Sequence, residues 1–99
     1  MGVIEISWFP AAKRDFEKLD GTQRLQVAKA IKKIEQDGMS IGKALSAQLS
    51  GLKEIKMKRL GLRVIFREAR GRVEVIEIIA IGKRSDKEVF KTTLERLSD

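Results

Sequence analysis

A chain of 99 residues has room for one hydrophobic core but not for two, so a single domain over residues 1–99 is expected. Its 21 Lys and Arg outnumber 14 Asp and Glu, and the net charge of +7 favours an anionic partner, with nucleic acid as the first candidate. Because His, Cys and Tyr are absent, the composition excludes the usual transition-metal sites, Cys nucleophiles, His general bases and phenolic acids, which leaves Lys, Arg, Glu and Asp for the chemistry.

The N-terminal part of the chain is predicted to form a strand and a helical hairpin. Residues 3–8 alternate and include β-branched side chains, which favour a strand, and helical spacing of apolar side chains follows over residues 11–19. After an interruption by small and polar residues the helical spacing resumes. Asp20 or Thr22 is suited to cap this second helix, and Gly38 is suited to end it.

The segment over residues 39–51 has the weakest pattern in the chain. It is rich in Gly, Ser and Ala, and three apolar residues in it, Ile41, Leu45 and Leu49, are spaced four apart. This spacing predicts one or two short helical turns that pack against the core.

The next part of the chain is predicted to form three antiparallel strands. Apolar and charged residues alternate on both sides of a turn at Leu60-Gly61, which predicts a tight hairpin. A second turn at Arg70-Gly71 leads into residues 73–81, which are apolar on both faces. This third strand is therefore expected to lie inside the sheet.

A closing helix is predicted at the C-terminal end. Ser85 and Glu88 form a capping-box pair, and Phe90, Leu94 and Leu97 follow at helical spacing on one face. The complete order of strand, helix, helix, three antiparallel strands and helix is an α+β fold.

Most of the excess positive charge falls on the predicted hairpin, because residues 53–72 contain eight Lys and Arg but two Glu. A turn at Leu60-Gly61 sets Lys58 opposite Arg63, with both side chains on the side of the sheet away from the core. Like charges in that position cost under about 1 kcal/mol, and a bound phosphate would turn the cost into attraction. The pattern favours an anion-binding surface over the alternative, an ordinary solvated sheet face.

The same register makes further predictions about the charged residues. It sets Lys56 opposite Ile65 and Glu54 opposite Arg67. It also points Glu77 toward the core, where a carboxylate is out of place unless a bulge or a position at the sheet edge intervenes.

Four segments, taken in order, resemble the RelE branch of the RelE/ParE toxin superfamily: GLKEIKMK at 51–58, GLRVIF at 61–66, IAIGKR at 79–84 and EVF at 88–90. The resemblance covers essentially the whole chain, including the helical hairpin. It implies a RelE-like α+β fold, with an N-terminal strand and helical hairpin before an antiparallel sheet and a C-terminal helix. It also implies the toxin of a type II toxin–antitoxin pair.

RelE toxins are ribosome-dependent endoribonucleases that cut messenger RNA without metal, by attack of a ribose 2′-hydroxyl on the adjacent phosphate. The resemblance implies that Arg63 and Arg84 clamp the scissile phosphate and that Lys56 stabilises charge or carries a proton. Glu54 is a candidate general base, although Arg67 beside it would weaken it in that role. RNA contacts are implied for Lys58, Arg67, Lys83 and Phe90.

Two positions depart from the family's pattern. Glu54 stands where the family has a functional lysine, and Phe90 stands where it has a functional tyrosine. Phe90 can stack on a base but has no hydroxyl, and its stripe with Leu94 and Leu97 suits a core residue as well. The departures imply redistributed roles or slower turnover. They also make credible a catalytically weak relative that binds nucleic acid or antitoxin. A ParE-like inhibitor of DNA gyrase, which would have the same fold, is the other alternative.

The implied partners are a cognate antitoxin, the ribosome and messenger RNA, with no metal, no cofactor and no membrane. The lack of Cys and of any bilayer-spanning apolar run favours the cytoplasm. Lys29, Lys32 and Lys33 on the second helix are interpreted as a solvated face, with contact to ribosomal RNA as the alternative.

Overall fold

The computed structural model describes residues 4–69, 72–83 and 88–98, and it confirms the predicted α+β class. A five-stranded sheet and three α-helices make up this part of the chain. The elements in order are β1 (Glu5–Trp8), α1 (Pro10–Glu17), α2 (Gly21–Asp37), β2 (Lys43–Ala44), β3 (Leu52–Met57), β4 (Leu62–Ala69), β5 (Arg72–Lys83) and α3 (Glu88–Leu97). None of the described helices is both long and apolar enough to cross a bilayer.

The strands lie in the order β1-β5-β4-β3-β2. β1 runs parallel to β5, because the helical hairpin carries the chain back across one face of the sheet before the meander begins. The other pairings are antiparallel, as predicted for β3, β4 and β5. β5 has a neighbour on each side, which agrees with its apolar character on both faces.

The ends of α2 follow the predicted signals. Asp20 is its N-cap: the Gln23 N–H donates to Asp20 Oδ1 at 2.8 Å, and the Asp20 N–H donates to Gln23 Oε1 at 3.0 Å. Asp20 rather than Thr22 is therefore the capping residue. Gly38 ends the helix with φ +61°, a conformation that is strained for any residue with a Cβ.

The sheet is the middle layer between two cores. One face packs against α1 and α2 through a cluster that includes Val27, Ile34 and Phe66, all fully buried. The other face packs against α3 through Ile65, Ile79, Ala80 and Val89. The predicted stripe of Phe90, Leu94 and Leu97 lies against this second cluster. The charged face of the sheet is thus partly covered by α3, contrary to the expectation that it faces away from any core.

The segment over residues 39–51 is more extended than predicted. Short 3₁₀ turns at Gly38–Ser40 and Ala47–Leu49 flank β2, which pairs with the first half of β3. The helical turn containing Leu49 was anticipated and buries that side chain. The strand was not, because two exposed residues carry no alternation from which a strand could be inferred.

The predicted register of the β3–β4 hairpin is wrong by two residues. Lys56 lies opposite Arg63, and a four-residue turn over 58–61 replaces the expected two-residue turn. The Leu60 N–H donates to the Met57 carbonyl at 3.1 Å, and Gly61 supplies a φ of +65° at the end of the turn. A shift of two leaves every side chain on its predicted face, because faces alternate with period two.

A β-bulge explains why the prediction for Glu77 is also wrong. Ile65 pairs with Ala80 while Phe66 pairs with Ile78, so that Ile79 is an extra residue in β5. In a regular strand Glu77 and Ile81, four residues apart, would lie on the same face. The extra residue reverses the alternation between them, so Ile81 packs in the core on the α1 and α2 side while Glu77 lies on the α3 side. The turn predicted at Arg70-Gly71 and the cap predicted at Ser85 lie outside the described residues.

Candidate nucleic-acid interface

Lys56 and Arg63 lie side by side on the α3 face of the sheet, since they are direct cross-strand partners on β3 and β4. The side chain of Lys56 is 30% exposed, whereas that of Arg63 is 11% exposed. Adjacent cations repel each other, and the repulsion is strong when one of them is nearly buried, as Arg63 is. An anion close to both cations offsets this repulsion. The structure supplies that anion from the chain itself.

Glu54 is the anion, and it is 3% exposed. One carboxylate oxygen lies 3.7 Å from Lys56 Nζ and the other lies 3.5 Å from Arg63 Nη1. These distances give strong Coulomb attraction but are too long for good hydrogen bonds. Among the described residues, Glu54 Oε2 and Arg63 Nε have no hydrogen-bond partner. The cluster therefore has two positive charges for one negative charge and is incomplete in hydrogen bonding.

Phe90 covers the guanidinium of Arg63. The Arg63 Cζ lies 4.5 Å from the centroid of the Phe90 ring, which is cation–π distance. Gly82, the β5 partner of Arg63, lets α3 approach this closely, because a Cβ on Gly82 would lie 3.0 Å from the Val89 Cβ. Phe90 therefore packs against the second core and also contacts Arg63.

A second arginine repeats this arrangement further along β4. Arg67 donates from Nε to Glu77 Oε1 at 2.9 Å, and its Cζ lies 5.6 Å from the centroid of Phe9. The carboxylate partner of Arg67 is thus Glu77. The predicted partner, Glu54, was wrong. The face therefore carries three cations with two carboxylates between them, and Glu77 from β5 neutralises one further charge of the predicted excess.

The remaining predicted residues are more scattered. Lys58 is exposed in the β3–β4 turn and is not opposite Arg63. Lys83 is exposed at the end of β5, opposite Leu62. Arg84 lies outside the described residues. The structure thus brings together Glu54, Lys56, Arg63 and Phe90, with Arg67 four residues further along β4.

Two residues that the sequence did not single out hold α3 in position. Arg96 donates to both carboxylate oxygens of Asp15 at 2.7 and 3.0 Å, and also to the Ile79 carbonyl at 2.8 Å. Asp15 in turn accepts the Ile81 N–H at 3.1 Å. This bidentate pair satisfies backbone groups beside the bulge and fixes the helix that carries Phe90. Nothing in the local sequence links two residues 81 positions apart.

A groove of about 610 Å³ runs beside β3, on the side of α2. Its floor includes Ile55 and Met57, and five cations line it: Lys29, Lys33, Lys56, Lys58 and Arg59. Lys56 therefore connects this groove to the cluster around Glu54. Lys29 and Lys33 of the predicted solvated face of α2 lie in one wall of the groove.

Comparison of sequences finds no matching family model and no matching curated protein. Solved structures do match. A double arginine mutant of the toxin RelE from E. coli, in the free state, has TM-score 0.79 and 22% identity, covering 98% of this chain and 99% of that chain. The toxin–antitoxin complex RelBE2 from Mycobacterium tuberculosis has TM-score 0.70 and 19% identity, over 83% and 99%. The chromosomal ParDE system from P. aeruginosa has TM-score 0.61 and 16% identity, over 82% and 96%.

Proposed function

Because this chain has the fold of the RelE and ParE toxins, as its motifs predicted, we propose that it is the toxin of a type II toxin–antitoxin pair that cuts messenger RNA on the ribosome. The proposal takes residues 1–99 as one toxin domain, with a cognate antitoxin, the ribosome and messenger RNA as partners in the cytoplasm. The observation that carries it is the pairing of Lys56 with Arg63 beneath Phe90, on one face of the sheet.

The proposed reaction is attack of a ribose 2′-hydroxyl on the adjacent phosphate. It needs groups that grip the phosphate, accept a proton and neutralise charge on the pentacoordinate phosphorus. Arg63 suits the grip, because its planar guanidinium can hold two oxygens and its Nε has no partner among the described residues. Lys56, the more exposed cation, stabilises the developing charge or carries a proton.

Glu54 and Arg84 complete the proposed set. Glu54 is the carboxylate closest to both cations and is the candidate proton acceptor. Arg84 is included as the second phosphate clamp because it follows directly after β5 in the sequence, and β5 runs beside Arg63 through Gly82. Lys58, Arg67, Lys83 and Phe90 are proposed as further RNA contacts.

Inhibition of DNA gyrase is the second candidate function. The likeness to the ParDE system favours it. Glu54 and Phe90, which stand where the RelE resemblance implies a lysine and a tyrosine, favour instead a catalytically weak relative. A catalytically weak relative that binds nucleic acid or antitoxin would share the same fold. All three candidates give different results in the same pair of assays.

Primer extension on a messenger translated by purified ribosomes tests the proposal. Cleavage at the decoding site is expected with the parent protein, and Arg63→Met and Arg84→Ala should abolish both the cuts and growth arrest in cells. Arg63→Met keeps the aliphatic stem of the side chain, which limits the loss of packing. Arg24→Ala, which removes an exposed cation from α2, is the matched control and should leave cleavage unchanged.

The alternatives are read from the same preparations. An intact messenger together with blocked supercoiling by gyrase would replace the proposal with the ParE-like function. An intact messenger with normal supercoiling would leave the binding-only relative. Equal toxicity of Arg63→Met and the parent protein would refute the assignment of the site.

A further inference from the structure

Glu54 differs from the other carboxylate on this face in the way it meets its cations. Glu77 accepts a hydrogen bond of 2.9 Å from Arg67, and its side chain is 23% exposed. Glu54 is 3% exposed, yet it contacts Lys56 and Arg63 at 3.7 and 3.5 Å without a hydrogen bond to either. A buried charge with an unpaired oxygen is costly to a fold, so this position calls for a reason beyond stability.

The position that Glu54 occupies is one that suits a phosphate. Carboxylate and phosphate both present anionic oxygens to guanidinium and ammonium donors. Glu54 bridges the same two cations that the proposed reaction needs for the phosphate. It does so at distances that leave hydrogen-bonding capacity on Arg63 unused. Exchanging Glu54 for a phosphate would therefore sacrifice Coulomb attraction but no short hydrogen bond.

We infer that Glu54 is an internal counter-ion that holds Lys56 and Arg63 together in the free protein and gives them up to an RNA phosphate. The inference rests on the proposed function, since it takes Arg63 as a phosphate clamp and Lys56 as the cation that stabilises charge on the phosphate. Its consequence is competition: free RNA must displace the carboxylate, so the protein binds stray RNA more weakly than its charge of +7 suggests. RNA that a ribosome already holds in position must also displace the Glu54 carboxylate, but it loses less entropy on binding than free RNA does.

The affinity for RNA in the absence of ribosomes tests this inference. The probe is a single-stranded oligonucleotide with 2′-O-methyl riboses, which cannot undergo the proposed cleavage. Glu54→Gln keeps the shape of the side chain and removes its charge. Glu77→Gln makes the same change of charge on the same face, at the pair that is hydrogen-bonded and more exposed, and it is the matched control.

Glu54→Gln should bind the probe about tenfold more tightly than the parent, which is the scale of one hydrogen bond to a charged group. Glu77→Gln should gain less than about threefold, because partly exposed pairs are screened by solvent. Glu54→Asp, which restores the charge, should return the affinity toward that of the parent. Such a reversal would not arise from loosened packing alone.

Two results would overturn the inference and leave the proposed function intact: equal gains in Glu54→Gln and Glu77→Gln, or weaker binding by Glu54→Gln, which would mean that Glu54 orients the cations for RNA. If the parent and both variants failed to bind the probe, the assignment of Lys56 and Arg63 as an RNA-binding site would itself be wrong. These outcomes are distinguishable because the probe reports on binding without cleavage.

A measurement on the parent protein covers the case in which Glu54→Gln does not fold. The ¹³C resonance of the Glu54 side-chain carboxyl should shift when the probe saturates the protein, while that of Glu77 should move less. An unshifted Glu54 resonance at saturation would show that the carboxylate stays with its cations, and would overturn the inference.

Discussion

Replacing Arg63 should destabilise the fold by an amount that depends on Glu54. Arg63→Ala removes the stacking on Phe90, worth about 0.5–2 kcal/mol, and leaves a buried carboxylate with Lys56 as its remaining cation. Breaking a buried pair costs about 3–5 kcal/mol when the partners are hydrogen-bonded, and the 3.5 Å separation here sets a lower value. The expected loss in free energy of unfolding is about 2–4 kcal/mol.

A double-mutant cycle isolates the contribution of the charge pair. Arg63→Met retains the aliphatic stem of the side chain but not the guanidinium that stacks on Phe90, and Glu54→Gln removes the stranded charge. The double mutant should therefore be more stable than the two single mutants predict, by about 1–2 kcal/mol. Urea unfolding followed by the fluorescence of Trp8, the one tryptophan in the chain, measures each term. Single-mutant effects that add to within about 0.5 kcal/mol would refute the coupling.

Three further predictions concern the frame of the site. Gly82→Ala should lower the free energy of unfolding by about 1–3 kcal/mol and weaken growth arrest, because the new Cβ meets α3 and displaces Phe90. Urea unfolding measures the first effect and a growth assay the second. Asp15→Asn should lower the free energy of unfolding by about 2 kcal/mol, because it weakens the bidentate ion pair with Arg96. Amide hydrogen exchange should then accelerate in α3 more than in α2. Asp20→Ala should lower the free energy of unfolding by about 1 kcal/mol and leave growth arrest unchanged, because the cap bonds to Gln23 and to none of the proposed site residues.

Each of these predictions has an outcome that contradicts it. A Gly82→Ala protein as stable as its parent would mean that α3 does not depend on the close approach to β5. An equal acceleration of hydrogen exchange in α2 and α3 of Asp15→Asn would show that the Asp15–Arg96 ion pair does not hold α3 in place. Reduced toxicity of Asp20→Ala at unchanged stability would extend the functional surface to the start of α2.

Much of the fold follows from local pattern in the sequence. The helical spacing, the capping residue Asp20, the terminating Gly38 and the period-two segments of β3 and β4 each depend on neighbours within a few residues. Such signals survive in any tertiary context that buries the apolar side. The two-residue strand β2 could not be predicted, because its formation depends on the edge of β3 and not on its own side chains.

The candidate site was predictable in part. The alternation correctly assigned Glu54, Lys56, Arg63 and Arg67 to one face of the sheet. Their partners were wrong, because a turn two residues longer than expected moves every cross-strand contact while it leaves the faces unchanged. The misplaced Glu77 was the one sequence signal of the bulge in β5, but it did not locate the extra residue, and the bulge gave Arg67 its partner Glu77.

The sequence by itself determined the α-helices, the longer strands and which side chains of β3 and β4 share a face, because these properties repeat over three or four residues of chain. The tertiary structure alone decided which charges meet. Contact between Glu54 and Arg63 depends on the length of a turn, and contact between Phe90 and Arg63 depends on a helix that a distant ion pair, Asp15 with Arg96, fixes to the sheet. Long-range pairing is set by the packing of whole elements, so no local pattern encodes it.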